Sequence, residues 1–137
     1  MRIKGDPLKV NYKHIDYTNS KTGEVCHKTI ASCTVLTYNV PIQIVDAFCS
    51  LFEKESDGYS EICKIYAETV CKGGDSYDPK VGERIARKKI MKRFMSMVRQ
   101  ASDKTVKNLQ NDIEDVKSLS VASAKCRDDI IEFLQNQ

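Results

Sequence analysis

The chain has 137 residues, 41% of them hydrophobic and 30% charged, with a formal net charge of +3. That length suits one domain with a modest core, and that composition argues against intrinsic disorder. No apolar run reaches the roughly 18 residues needed to span a bilayer, and the N-terminal MRIKGDPLKV lacks a signal-peptide hydrophobic region, so a cytoplasmic protein with no membrane partner is expected.

In residues 1–24, short apolar runs alternate with Gly5, Asp6-Pro7, Asn19-Ser20 and Gly23, which predicts extended structure and a hairpin turning at Asn19–Gly23. Residues 25–38, VCHKTIASCTVLTY, are rich in β-branched side chains and read as a strand. Pro41 suits a first helical turn, and Ile44, Val45, Phe48, Leu51 and Phe52 recur at steps of three and four, predicting a short amphipathic helix to about Glu53. Glu53 to Gly58 is a polar connection ending in an Asp-Gly turn signal. Residues 60–72 fit either strand alternation or helical spacing, and their β-branched and aromatic content favours a strand.

From Asp78 the chain turns helical. Asp78 is a natural N-cap, and Pro79 at the first helical position has its φ preset and needs no N–H partner. Beyond Pro79 there is no proline, and Gly82 is the only glycine. Ala86, Ile90, Phe94, Met97 and Ala101 trace an apolar stripe, widened by Val81, Ile85, Met95 and Val98. Ser102-Asp103 offers a second cap or a kink. Val106, Leu109, Ile113 and Val116 then follow 3-4-3 spacing, and Leu119, Ser123, Cys126, Ile130 and Phe133 resume it after a three-residue phase slip. Residues 79–135 therefore form two or three helices whose heptad-like runs favour helix–helix packing. The expected architecture is α+β over a single domain, 1–137. In it, residues 1–72 are a small antiparallel sheet with a short helix, and residues 73–137 are long helices that form an oligomeric bundle.

No catalytic constellation stands out. Asp75 and Asp78 read better as turn and cap than as a carboxylate pair, and nothing selects a cysteine to pair with His27. Gly73-Gly74 lacks the lysine and spacing of a phosphate-binding loop. The six cysteines read as reduced, small apolar residues, and neither C-x-x-C pairs nor histidine spacing points to zinc. A non-enzymatic protein without cofactor or metal is expected. The stronger signal is charge. Lys80 to Arg99 holds eight basic residues against one acid, Glu83, and Gln100 to the end holds seven acids against five bases. Arg84, Arg87, Lys88 and Lys92 share a helical shoulder, where arginine can grip phosphate in a bidentate way, and Tyr77 could stack on a base. The competing reading is a solvated face, or a seam pairing with Asp112, Glu114 and Asp115.

The segment from Ala67 to Lys88, AETVCKGGDSYDPKVGERIARK, resembles a pattern of small phage and prophage proteins: a strand ending at Cys, a short loop, D-x-[FY]-D, three residues, Gly, then [IL]-A-x-x-[KR] opening a helix. The matching positions are Cys71, Asp75, Tyr77, Asp78, Gly82, Ile85, Ala86 and Lys89. Size, element order and the basic helix are also similar to the Thoeris anti-defence proteins, non-enzymatic oligomers that sequester cyclic nucleotide immune signals. The resemblance implies a strand over residues 60–72. It further implies a phage-encoded accessory protein, acting as a homodimer or higher oligomer, that sequesters an anionic nucleotide; the clustered arginines beside the D-S-Y-D loop, rather than the resemblance, point to Arg84, Arg87, Lys88 and Tyr77 as the binding residues. A nucleic-acid-binding accessory protein, and a structural protein whose helices only make subunit contacts, are the alternatives.

Overall fold

The computed structural model describes residues 7–53, 60–71 and 77–137. The fold is α+β. A three-stranded antiparallel sheet has the order β1 (Asn11–Thr18), β2 (Val25–Leu36), β3 (Glu61–Cys71). The predicted turn joins β1 to β2: Asn19 N–H donates to the Glu24 carbonyl and Gly23 N–H to the Asn19 carbonyl, both at 2.8 Å. Gly23 takes φ 72°, a left-handed conformation that glycine adopts without steric cost. Two short 3-10 turns, Thr37–Asn39 and Ile42–Ile44, lead into α1 (Val45–Phe52), so the helix predicted from Pro41 begins later than its apolar spacing suggests. Buried Asn39 accepts the Leu36 N–H at 2.8 Å and donates to the Pro7 carbonyl at 3.3 Å, fixing this bend.

The ambiguous stretch is a strand. The register pairs Ala31 with Ala67 and Cys33 with Ile65, so these side chains share the buried sheet face. A register shift at Val35/Leu36 breaks the alternation, and Ile62, which strict alternation would send to the other face, is buried. On the open face a Lys28–Glu68 ion pair at 2.8 Å bridges β2 and β3, and that contact raises the Lys28 pKa. None of the six cysteines forms a disulfide, and burial pushes the Cys33 thiol up.

The final element is one helix, α2 (Pro79–Gln135), rather than two or three. The reason is visible at Ser102. Its hydroxyl donates back to the Val98 carbonyl at 2.8 Å, inside the same helix, and so is not free to cap a new one. The Asp78 cap is as expected: Lys80 N–H donates to Asp78 Oδ1 at 3.0 Å. The chain divides into two compact units, Met1–Ser102 and Asp103–Gln137. In the first, the sheet, α1 and the early turns of α2 enclose the core. Ala86, Ile90, Phe94, Val98 and Ala101 are the buried α2 positions, with Val98 more deeply placed than Met97. Phe48 of α1 is fully buried, 4.9 Å from Phe52 and 6.0 Å from Phe94 between ring centroids. In the second unit every residue from 106 onward is exposed. The expected polar connection at 53–58 and the Gly73–Asp75 loop fall almost wholly outside the described residues.

Candidate functional site

Two polar assemblies flank the first turns of α2. The first grows from the hairpin register. Pairing His14 with Thr29 and Asp16 with His27 places these four on one sheet face, opposite the start of α2. His14 Nε2 lies 2.9 Å from Glu83 Oε1, and its Nδ1 lies 3.1 Å from the Thr29 hydroxyl and 3.0 Å from the Tyr77 hydroxyl. In neutral His14 the proton belongs on Nε2, because the Glu83 carboxylate only accepts; Nδ1 then accepts from one hydroxyl. His27 pairs with Asp16 through Nδ1, and its ring stacks on Tyr77 with centroids 4.1 Å apart and planes at 17°. Tyr77 is thus held twice, by its ring on one histidine and by its hydroxyl on the other.

Glu83–His14–Thr29 has the connectivity of a proton relay. Its hydroxyl end, however, is 1% exposed, and Thr29 Oγ1 would stand 2.6 Å from a Cβ built at Gly82. The network instead docks α2 on the sheet, and Gly82 permits the close approach. This explains most of the segment that carried the family resemblance. Tyr77 stacks, Asp78 caps, Gly82 gives clearance, and Ala86 is fully buried. A cleft of about 210 Å³ beside the network is lined by His27, Thr69, Cys71, Asp78, Val81 and Ile85 among others, with no lysine or arginine in its wall among the described residues.

The second assembly is a basic groove. At about 100° per residue, Lys89, Lys92, Arg93 and Ser96 occupy one flank of α2, beside the buried Ala86–Ile90–Phe94 stripe. That flank faces the edge strand β3, which contributes Lys64 and Tyr66. Together they line a solvent-open groove of about 670 Å³ whose wall, among the described residues, holds four cations and no carboxylate. Lys89 Nζ donates to the Glu68 carbonyl at 2.8 Å, and Tyr66 is 56% exposed. Among the described residues, none of Lys64, Lys92 and Arg93 takes part in an ion pair.

None of the predicted binding residues Arg84, Arg87, Lys88 and Tyr77 lines this groove. Arg84, Arg87 and Lys88 are exposed and lie in no ion pair among the described residues, but the helical period puts Arg84 and Arg87 on the far side of the buried stripe from Lys89 and Arg93. Tyr77 belongs to the histidine network. The acids expected to form a seam with the basic helix are engaged elsewhere in one case, since Glu114 pairs with Lys117 at 3.8 Å. What sequence reasoning missed is the β3 contribution. The available signal was strand alternation, which puts Lys64 and Tyr66 together on the face opposite Ile65 and Ala67. In comparisons with known proteins the chain matches no family model, no curated protein and no solved structure.

Proposed function

We propose that this chain is a non-enzymatic binding protein for phosphodiester ligands, and that single-stranded nucleic acid lies along the groove between β3 and α2. One observation carries the reading: Lys64, Lys89, Lys92 and Arg93 converge on an open groove with no carboxylate in its lining among the described residues. Phosphates supply the missing counter-charge, and the exposed ring of Tyr66 offers a base a stacking surface. An open groove suits a strand that continues past both ends. The exposed Arg84, Arg87 and Lys88 add to the positive field around the same helix. The test is fluorescence anisotropy with a labelled oligothymidylate across a sodium chloride series. Four phosphate contacts give a log–log slope of about −3. A flat salt response, or no binding at low salt, refutes the reading.

A second reading keeps the groove and changes the ligand. A volume of about 670 Å³ lies within the range of small-molecule sites, so a cyclic nucleotide fits it in size. In that case the chain is a phage-encoded accessory protein that sequesters an immune signal in the host cytoplasm, as the resemblance implies. Thermal shift with cyclic dinucleotides, cyclic trinucleotides and cyclic ADP-ribose isomers separates the two. Stabilisation by one of these without oligonucleotide binding favours sequestration, and no shift with any of them removes it.

A further inference from the structure

We infer that the Asp103–Gln137 unit pairs with the same unit of a second copy of this chain, as a parallel, in-register, two-stranded coiled coil. Val106, Leu109, Ile113, Val116 and Leu119 are all more than half exposed on a helix with no second helix inside its unit to cover them. Ile130 and Phe133 continue the row, at 55% and 63% exposed. Spacings of three and four make the row drift slowly backward around a straight helix, the condition for a left-handed supercoil. The consecutive three-residue steps Ile113–Val116–Leu119 are a stammer, which overwinds the coil locally but does not end the seam.

Stoichiometry and direction follow from which residues occupy the seam. Val106 and Ile113 fall at a positions and Leu109 at a d position; β-branched a with leucine d favours two strands. In a parallel pair each apolar layer meets its own copy, and the polar layers Ser123 and Cys126 are confined together between Leu119 and Ile130. An antiparallel pair over the same span sets Val116 against Ser123 and Ile113 against Cys126, spoiling four layers in place of two. Charge agrees. Asp112 precedes the Ile113 layer at a g position, and Lys117 follows Val116 at the e position five residues on. A parallel partner therefore brings Asp112 of one copy beside Lys117 of the other, twice per dimer.

The test uses the full chain. Sedimentation equilibrium at tens of micromolar is expected to give twice the 15.5 kDa chain mass. In the parallel register the two Cys126 thiols face each other, so copper–phenanthroline oxidation gives a covalent dimer on non-reducing gels that Cys126→Ser lacks. Ile113→Asp places a carboxylate in the seam and is expected to weaken the dimer by about 100-fold or more, while β1–β3 and the core stay folded by tyrosine fluorescence. A monomer mass, including one from fold-back of this helix on its own chain, overturns the inference, as does a trimer or tetramer. A dimer whose Cys126 alkylates readily yet never cross-links overturns the parallel register. Oligonucleotide binding by the groove is scored separately, so failure here leaves that reading standing.

Discussion

Gly82→Ala tests whether close docking of α2 on the sheet is as tight as described. In an exposed helix interior this change gains about 1 kcal/mol of helix propensity. Here the added methyl would stand 2.6 Å from Thr29 Oγ1 and 3.4 Å from Thr29 Cβ. The hydroxyl cannot swing aside freely, because Thr29 is buried and its Oγ1 is bonded to His14 at 3.1 Å. Rotation breaks a hydrogen bond of about 1 kcal/mol, and lifting the helix disturbs the packing of Ala86 and Ile90 beyond it. Overpacking of this kind costs about 1–3 kcal/mol, so a mid-range cost set against the propensity gain leaves a net loss of about 1 kcal/mol. Thr29→Ala removes the obstructing oxygen; in that background Gly82→Ala should recover its propensity gain, for a coupling of about 2 kcal/mol. Urea unfolding of the four proteins of the cycle, followed by tyrosine fluorescence, gives each value at a common m. A Gly82→Ala protein as stable as the parent, or a coupling below about 0.3 kcal/mol, refutes the docking argument.

Lys89→Glu with Arg93→Glu should lower oligonucleotide affinity more than tenfold and flatten the salt slope by about one to two units, while Arg84→Glu does less; equal effects would remove the groove from the proposal. Phe48→Ala empties the space between Phe52 and Phe94 and is expected to cost about 3–5 kcal/mol in urea unfolding. A loss under about 1 kcal/mol would mean that α1 is not integral to the core. The raised Cys33 pKa has a signed consequence: its stabilising effect is complete below the unfolded thiol value of about 8.5 and is lost as pH rises through the higher folded value. Stability between pH 8 and 10 should therefore fall less steeply in Cys33→Ala than in the parent, and identical slopes would refute this.

Local signals carried much of the architecture because local physics decides it. The β-branched run at 25–38, the turn at Asn19–Gly23 and the Asp78-Pro79 helix start each depend on neighbouring residues, and each is present in the fold. The division of 79–135 into helices did not follow, since Ser102 can cap or can return its hydroxyl to Val98, and only the side-chain geometry distinguishes the two. The site was less legible still. Tyr77 stands beside the helix start, but its partners, His14 and His27, lie 63 and 50 positions away. Lys64 and Lys89 are 25 positions apart and meet only because β3 is an edge strand beside that flank of α2. Charge density on α2 was readable; which flank faces a concave surface was not.

The Lys89 contact with the Glu68 carbonyl has a further consequence for β3. As the last strand in the order β1-β2-β3, β3 presents backbone groups that another extended chain could pair with. A lysine laid across such a rim is a gatekeeper against strand addition and the aggregation that follows from it. The same ammonium lines the basic groove, and it cannot face a phosphate and the Glu68 carbonyl equally well. A polyanion that recruits Lys89 therefore withdraws the guard from β3 while covering the rim with its own bulk.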